Sequence, residues 1–368
     1  MSKVKDYKAL KRIRPTRIIL PILLGLIGIG LLMYFDKNFK LSSFSLININ
    51  LYLILFVIVS FLMMMTRDIG YMLRLRILTD KFFNWRKTFN IIMLWEFASA
   101  VSPGAIGGTG VAVIFITKEG LPVGKSAAVV MATSLLDELY FILMFPALLI
   151  AVGFSDLFSI GEKIAFDITN KYFIMVLIAY SIKFVWVLFI SYGLFKNPGI
   201  VKKFIVGIFN IKFLRKWKNK AEKAGDDMIL ASKELKTKSF SFWLKAFTAT
   251  FLSWTARYWV LNFLLIALIF GIPDVTIHQF PTFADHFLIF ARQLVMWIMM
   301  LILPTPGGSG IIELIFSDYM AEFIPVAGLI SIMAIMWRIV TYYPYLFMGV
   351  FVLPKWVNRV FKKNKANA

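Results

Sequence analysis

The feature that most limits what this chain can fold into is a series of long apolar stretches that recurs from residue 18 to residue 353. A helix that crosses a bilayer needs about 20 mostly apolar residues, and the helix satisfies its own backbone polar groups along that path. Six segments meet this requirement and are predicted transmembrane helices: 18–35, 46–66, 125–153, 172–195, 242–272 and 325–353. Only 17% of the residues are charged, against roughly 25% in soluble domains. We therefore predict an all-α integral membrane protein.

Two further apolar stretches, 89–117 and 287–323, are each interrupted near the middle by a cluster of proline and glycine. Because proline lacks a backbone donor and glycine enters turns readily, 102–110 and 304–310 are not expected to continue a helix. We predict that each stretch forms a re-entrant helical hairpin whose broken backbone is covered by protein or by a wet cavity. Helix N-termini that follow such breaks offer free amides to a phosphate or a carboxylate.

The positions of lysine and arginine predict the orientation, because cytoplasmic loops are enriched in both. Most of the 41 basic residues fall in segments that are cytoplasmic if the N-terminus is inside: 3–17, 67–87, 118–125, 196–245 and 355–365. We expect both termini on the cytoplasmic side of a prokaryotic cell membrane. The basic segment 196–241 carries interleaved apolar side chains, so it is either a solvated linker or an amphipathic helix that touches anionic lipids of the cytoplasmic leaflet.

The order of these elements predicts an inverted repeat of two halves. Residues 1–160 run span, span, hairpin, span, and residues 161–368 repeat that order with the hairpin entering from the opposite face. Inverted repeats with broken helices that meet near the midplane are typical of transporters, because exchanging the conformations of the halves exchanges access between the two sides. Trp95 and Trp297 precede the two glycine clusters, although chance similarity between the halves is the alternative.

Eight charged residues lie within the apolar segments or directly beside the second glycine cluster: Glu96, Asp137, Glu138, Lys183, Arg257, Arg292, Glu313 and Arg338. Each is unfavourable there by about 2.5 to 3.5 kcal/mol at a helix centre, so each is expected to face a partner or a polar cavity. We interpret the three arginines and three carboxylates among them as a path for an anionic or zwitterionic headgroup, and internal ion pairs that only hold the bundle together are the alternative. The predicted substrate-binding residues combine these charges, the hairpin breakers and one tyrosine: Pro103, Gly104, Gly107, Gly108, Asp137, Glu138, Arg257, Arg292, Pro306, Gly307, Gly308, Gly310, Glu313, Arg338 and Tyr342.

The composition also excludes several kinds of site. There are no cysteines, and two histidines are too few for a zinc site, so no metal or other cofactor is expected. Neither glycine cluster has the Gly-Lys-Ser/Thr sequence of a phosphate loop. The net charge of +21 is segregated by loop and accompanies no recognition fold, which favours anionic phospholipid over nucleic acid as a partner.

These residues resemble the transmembrane-domain family of lysylphosphatidylglycerol synthetases, a family of flippase-like membrane proteins. The motifs that carry the resemblance are Ser102-Pro103-Gly104 with Gly107-Gly108, Lys118-x-Gly120, Leu135-Leu136-Asp137-Glu138, Pro304-x-Pro306-Gly307-Gly308-x-Gly310-x-x-Glu313, Trp337-Arg338-Ile339-Val340-Thr341-Tyr342-Tyr343-Pro344 and Gly349. The resemblance implies that the chain moves lipids, such as aminoacylated phosphatidylglycerol or other lipid-linked headgroups, between leaflets. The full-length synthetases carry a soluble catalytic domain after the membrane part, whereas this chain ends at Ala368, so aminoacyl transfer is not expected.

The leading hypothesis is therefore a flippase or scramblase that moves a phospholipid or lipid-linked headgroup, without enzymatic activity. Two alternatives stay open. One is an intramembrane enzyme on a lipid-linked substrate that uses Asp137 or Glu313 as acid or base. The other is a non-transporting partner subunit of an envelope lipid synthase. The sequence does not specify the lipid, the direction, a coupling ion or the oligomeric state.

Overall fold

A computed structural model describes residues 39–102, 106–158, 170–208, 210, 218–273, 280–302 and 311–366, together with positions 23, 27, 30, 33 and 34. These residues are helical apart from short connections and contain no strand. The helices after residue 39 are α1 Leu51–Leu78, α2 Trp85–Val101, α3 Ile106–Lys118, α4 Val123–Val152, α5 Phe154–Phe158, α6 Lys171–Phe195, α7 Pro198–Ile208, α8 Lys218–Lys236, α9 Phe240–Gly271, α10 Phe283–Met299, α11 Ile311–Met320, α12 Ile330–Thr341 and α13 Tyr343–Ala366. The prediction of an all-α membrane protein is confirmed.

Five stretches of the described residues are long and apolar enough to cross a membrane. Four are the single helices α1, α4, α6 and α9, and the fifth is Ile330–Val360, which runs through α12 and α13. The predicted spans 125–153, 172–195 and 242–272 coincide with α4, α6 and α9 to within two residues at each end. Within the predicted span 18–35 the described positions are 23, 27, 30, 33 and 34, and each of them is helical.

Two predicted spans have different bounds in the structure. Helix α1 does not end at Thr66 but continues to Leu78, because Arg67 and Arg74 beyond that point are buried beside carboxylates from other helices. The prediction that Arg67 and Arg74 lie in a loop is therefore wrong for both residues, which are helical. The predicted span 325–353 is divided at Tyr342, where α12 ends and α13 begins.

Helices α1 and α9 form an antiparallel pair that is the core of the described structure. At one end the Asn50 amide donates to the backbone oxygen of Phe270, and near the middle the Ser253 hydroxyl donates 3.0 Å to the backbone oxygen of Arg67. Gly70 allows this close approach, since a Cβ atom there would lie 2.2 Å from the Ser253 Oγ. The two helices therefore pack backbone against backbone near the level of Arg67.

Helices α2 and α3 pack against each other on either side of 102–105 and form an antiparallel hairpin. They measure roughly 25 Å and 20 Å at 1.5 Å per residue, so neither alone spans a hydrocarbon core of about 30 Å. Gly108 lies against Ser99, and a Cβ atom at position 108 would approach the Ser99 Oγ to 1.9 Å. In the second hairpin, α10 and α11 flank residues 303–310, which are outside the described residues. The re-entrant course of both hairpins and the inverted repeat stay predictions.

The basic segment 196–241 is largely helical. It forms α7 and α8, and α8 packs on the first turns of α4, where a Cβ atom on Gly124 would lie within 2.4 Å of Asp227 and Met228. Lys125 of α4 pairs with Glu234 of α8 at 2.8 Å. The second half of segment 196–241 is therefore a helix that packs against α4, whereas contact of this segment with anionic lipid stays a prediction.

Candidate functional site

Four charged side chains lie together between α1, α2 and α9. Arg67 is 2% exposed, and its guanidinium forms ion pairs with Asp68, at 2.8 Å, and with Glu96. The two carboxylates are 19% and 18% exposed. Arg257, near the middle of α9, lies within electrostatic range of Arg67 and Glu96. We call Arg67, Asp68, Glu96 and Arg257 the central quartet; its two cations and two anions balance.

Arg257 differs from the other charges in the membrane spans. Among the residues that the structure describes, no carboxylate lies within ion-pair distance of its guanidinium and no group forms a hydrogen bond with it. The guanidinium instead stacks on Trp297, 4.3 Å from the ring centroid, and lies 5.9 Å from the ring of Trp254. Such contacts contribute about 0.5 to 2 kcal/mol, but they leave the five N–H donors of the fork available to an anion.

Two buried polar atoms near Arg257 have no hydrogen-bond partner among the described residues. They are the Nε of Arg67 and the hydroxyl of Tyr258, which lies within electrostatic range of Arg257. A buried polar atom left unpaired costs about 1 to 3 kcal/mol, and few occur in native proteins. A polar ligand or water beside the central quartet would satisfy them.

Tyrosines from two helices complete the environment of Arg67. The guanidinium lies 4.4 Å from the ring of Tyr71 and 5.0 Å from the ring of Tyr345 in α13. The Tyr345 hydroxyl donates to both carboxylate oxygens of Asp68, at 2.9 and 3.1 Å. Asp68 is therefore held by two donors from different helices, whereas Arg67 is the one donor to Glu96 among the described residues.

Asp137 forms a second ion pair next to the central quartet. Arg74 donates to both of its oxygens and also to the Thr250 hydroxyl at 3.1 Å. The indole of Trp254 donates to the same carboxylate at 2.7 Å. Asp137 thus accepts from three N–H groups. These contacts connect α1, α4 and α9, so the pair of Arg74 and Asp137 is a structural ion pair.

Glu138 is adjacent in sequence but faces another helix, as expected for successive residues about 100° apart on an α-helix. It accepts from the buried Lys183 of α6 at 2.7 Å, and the Lys183 ammonium lies 4.5 Å from the ring centroid of Phe141. The structure therefore does not bring Glu138 to the side of α4 that faces the central quartet.

Arg292 of α10 binds a different set of groups. Its guanidinium donates to the backbone oxygens of Asp156 and Tyr319 and pairs with Glu322 at 2.9 Å. These contacts connect α10 with α5 and with the end of α11. The structure thus places Arg292 at a junction of helices, where Glu322 balances its charge.

Arg338 and Tyr342 lie at the junction of α12 and α13. Arg338 is 5% exposed, and its guanidinium lies 5.1 Å from the ring of Trp337 and 5.0 Å from that of Tyr342. The Tyr342 hydroxyl donates 3.1 Å to the backbone oxygen of Ala100 at the end of α2. This contact connects the junction of α12 and α13 with the first hairpin, one residue before α2 ends at Val101.

The predicted hairpin residues are described only in part. Residues Pro103, Gly104, Pro306, Gly307, Gly308 and Gly310 lie outside the described residues, as does the side chain of Glu313, whose backbone is in α11. Gly107, Gly108 and Gly110 are helical, since α3 begins at Ile106. The expectation that 102–110 would not continue a helix was therefore wrong from residue 106 onward. Gly108 serves instead for close packing of α3 against Ser99 of α2, which a side chain at position 108 would prevent.

Sequence reasoning did not select Arg67, Asp68 or Arg74 as site residues. The assumption of a span of about 20 residues ended the second helix at Thr66 and assigned these charges to a loop. The spacing of Arg67, Tyr71 and Arg74, at i, i+4 and i+7, places them on one helical face and would have indicated a helix that continues. Glu96 was recognised as a charge in an apolar stretch but not as a partner of Arg67.

The fold and this site define a polytopic helical membrane protein in which several charged side chains, among them Arg67, Arg74 and Lys183, are buried between helices. The chain belongs to the family described as lysylphosphatidylglycerol synthase TM region, which matches residues 18–349. It is also similar to a protein named UPF0104 membrane protein from Archaeoglobus fulgidus, with 29% identity over 310 residues that cover 80% of this chain and 84% of the relative. No solved structure matches the chain.

Proposed function

We propose that this protein is a lipid flippase or scramblase that moves a phospholipid or lipid-linked headgroup between the leaflets of the cell membrane. The observation that carries the proposal is the guanidinium of Arg257, which stands near the middle of a predicted span and has no anionic partner within ion-pair distance in the part of the chain that the structure describes. Charged groups in membrane spans are costly unless they are paired or face a polar path. A phosphate that passes this level would supply the missing partner.

The way in which charge is distributed supports this role. Asp137, Glu138 and Arg292 are each paired within the protein, so their charges are neutralised without a ligand. Arg257 and Glu96 lie in electrostatic range of each other but form no ion pair. The headgroup would reach the partly exposed edge of the central quartet while its acyl chains stayed in lipid.

The described helices are closely packed around this position. Arg67, Trp254 and Tyr345 are each no more than 6% exposed. Passage of a headgroup therefore requires helices around the central quartet to separate and close again. Such an exchange of access between two sides is the motion expected of transporters with discontinuous helices.

The proposal is tested in liposomes that contain the purified protein and a trace of fluorescent phosphatidylglycerol. Dithionite added outside destroys the label in the outer leaflet only, so loss of the remaining signal reports flipping. Wild-type protein is expected to expose the inner label, and Arg257→Met is expected to slow that exposure at least about tenfold. The reason is the loss of a charge-assisted hydrogen bond, which contributes about 1.5 to 3 kcal/mol.

A matched control is Arg76→Met. Arg76 also stacks on a tryptophan, 4.6 Å from the Trp85 ring, but it lies in the last turn of α1, away from the central quartet. This variant is expected to flip lipid at the wild-type rate. Flipping by wild-type protein no faster than in empty vesicles, with phosphatidylglycerol, its lysyl derivative and phosphatidylethanolamine alike, would refute the proposal. Conversion of the labelled lipid to a new product would instead indicate an enzyme.

A further inference from the structure

The interface between α9 and α10 carries polar groups at three levels in the described structure. Near the middle of α9, the Arg257 guanidinium stacks on a tryptophan of α10. At the next level, the Gln293 amide of α10 donates 2.7 Å to the backbone oxygen of Tyr258. Closer to the end of α9, the Asn262 Oδ1 lies 2.8 Å from the Nδ1 of His286. A polar track therefore leads from Arg257 toward the face where α10 begins.

The Asn262 amide is fully buried and only half paired. Asn262 is 0% exposed, and its Oδ1 accepts from His286. Its Nδ2, which carries two N–H donors, has no hydrogen-bond partner among the described residues. Buried side-chain donors in native proteins are nearly always paired with protein or with ordered water. An oxygen atom of a ligand or of water between α9 and α10 would pair this donor.

The contact of α9 with α10 is looser than its contact with α1. Against α1, helix α9 packs backbone to backbone at Gly70. Against α10 it is held by hydrogen bonds of polar side chains, and a small apolar cavity beside them is lined by Leu265 of α9 and Ile289 of α10, among others. Water or a headgroup can replace such hydrogen bonds, whereas close backbone packing has no substitute. Separation is therefore easier between α9 and α10 than between α9 and α1.

We propose that the anionic headgroup binds between α9 and α10, where the Arg257 guanidinium and the Asn262 amide donate to its phosphate oxygens. This inference rests on the proposed function and adds a second binding residue for the same headgroup and the pair of helices that opens. Asn262 follows Arg257 by five residues, or roughly 7.5 Å along the helix axis, which a long arginine side chain can bridge. The phosphate pairs both sets of donors, and the partly exposed His286 marks the end at which this interface meets water.

Cysteine labelling tests which helix contact opens, because the chain contains no cysteine of its own. Leu265→Cys places a thiol at the interface of α9 and α10, and Leu264→Cys makes the same change at the adjacent position. The two leucines are 2% and 0% exposed, and Leu264 lies on the face toward α1, since it follows Ser253 by eleven residues, or about three turns. With the anionic reagent 2-sulfonatoethyl methanethiosulfonate, the full chain in detergent is expected to react at least about tenfold faster at position 265 than at 264, because local opening sets the rate at buried sites. Water-soluble dihexanoyl phosphatidylglycerol should slow the reaction at position 265.

Binding of the same soluble lipid tests the role of Asn262. Dihexanoyl phosphatidylglycerol is titrated by calorimetry into the full chain in detergent, and Asn262→Leu is expected to bind it at least about tenfold more weakly, because a hydrogen bond to a charged phosphate is lost. The matched control is Asn50→Leu, which makes the same change where the Asn50 amide donates to the backbone oxygen of Phe270 between α1 and α9. This variant is expected to keep the wild-type affinity, even where its melting temperature falls.

The outcomes separate this inference from the proposed function. Wild-type affinity in Asn262→Leu, or a reaction at position 265 no faster than at 264, overturns the placement of the headgroup between α9 and α10 and leaves flipping untouched. If Asn262→Leu does not fold, the cysteine pair decides alone, because both of its variants retain Asn262. Absence of binding by wild-type protein at the highest soluble probe concentration refutes both proposals.

Discussion

The ion pair between Arg74 and Asp137 should be a main determinant of stability, and its removal has a calculable effect. Arg74 is 4% exposed and donates to Asp137 and Thr250, while Asp137 also accepts from Trp254. Arg74→Met leaves a carboxylate with one neutral donor between three helices. Breaking a buried pair in this way costs about 3 to 5 kcal/mol, comparable to the about 2.5 to 3.5 kcal/mol for an unpaired charge at the centre of a membrane helix.

Replacing both partners should recover much of the loss. In Arg74→Met/Asp137→Leu no charge is stranded, and buried pairs replaced by apolar residues of similar volume are often neutral in stability. We expect the double variant to be at least about 2 kcal/mol more stable than Arg74→Met, so that the double variant loses less stability than the sum of the two single losses in a double-mutant cycle. The cycle is measured by reversible unfolding in mixed detergent micelles.

The exposed pair between Lys125 and Glu234 provides the reference for this experiment. It has the same charges at 2.8 Å, but its side chains are 32% and 46% exposed, so its coupling should not exceed about 1 kcal/mol. If Arg74→Met costs no more than Lys125→Met, or if the double variant loses the sum of the two single losses, the argument that Asp137 is a structural carboxylate is refuted.

Three further substitutions test the packing around the site. Gly108→Leu should separate α2 from α3, because even a Cβ atom there would meet Ser99 at 1.9 Å, and a melting temperature equal to that of the wild type would contradict this. Gly124→Leu should release α8 from α4 with faster protease cleavage within 218–236, whereas an unchanged cleavage pattern would show that the contact is not needed. Tyr342→Phe should lower the free energy of unfolding by about 1 kcal/mol, because the hydrogen bond to Ala100 is lost. Thermal unfolding measures this loss, and a loss above about 3 kcal/mol would indicate a larger role for the hydroxyl.

The sequence predicted the long spans well because a backbone in lipid must satisfy its own polar groups in a helix long enough to cross. Such a helix is visible in the sequence as a long apolar stretch. It predicted α4, α6 and α9 to within two residues, since loops with strong turn or cap residues bound them, such as Asn170 before α6 and Ser239 before α9. It failed at α1, where the helix carries its own charges beyond Thr66. Hydropathy cannot distinguish a charge in water from a charge neutralised by another helix.

The site was predicted only in part for the same reason. Arg257 was selected as a cation within an apolar segment, but its lack of an ion-pair partner among the described residues is a property of three-dimensional packing. Asp137 and Glu138 were grouped because they are neighbours in sequence, yet one faces Arg74 and the other faces Lys183. Partners separated by 63 and 45 residues cannot be assigned from one sequence, because no local pattern records which helices pack together.

Ion pairs alone would give this protein a rigid bundle, and they explain most of its buried charges. Arg74, Lys183 and Arg292 each form an ion pair with a carboxylate, and each pair connects one helix to another part of the bundle. A bundle built only for stability would have paired Arg257 in the same way, or replaced it by an apolar residue at a gain in stability. Arg257 instead contacts two tryptophans and has no ion-pair partner among the described residues, which lowers the stability of the empty state. That cost is expected where a charge must remain available to a ligand, because a guanidinium saturated by the protein cannot exchange partners as a headgroup arrives and leaves.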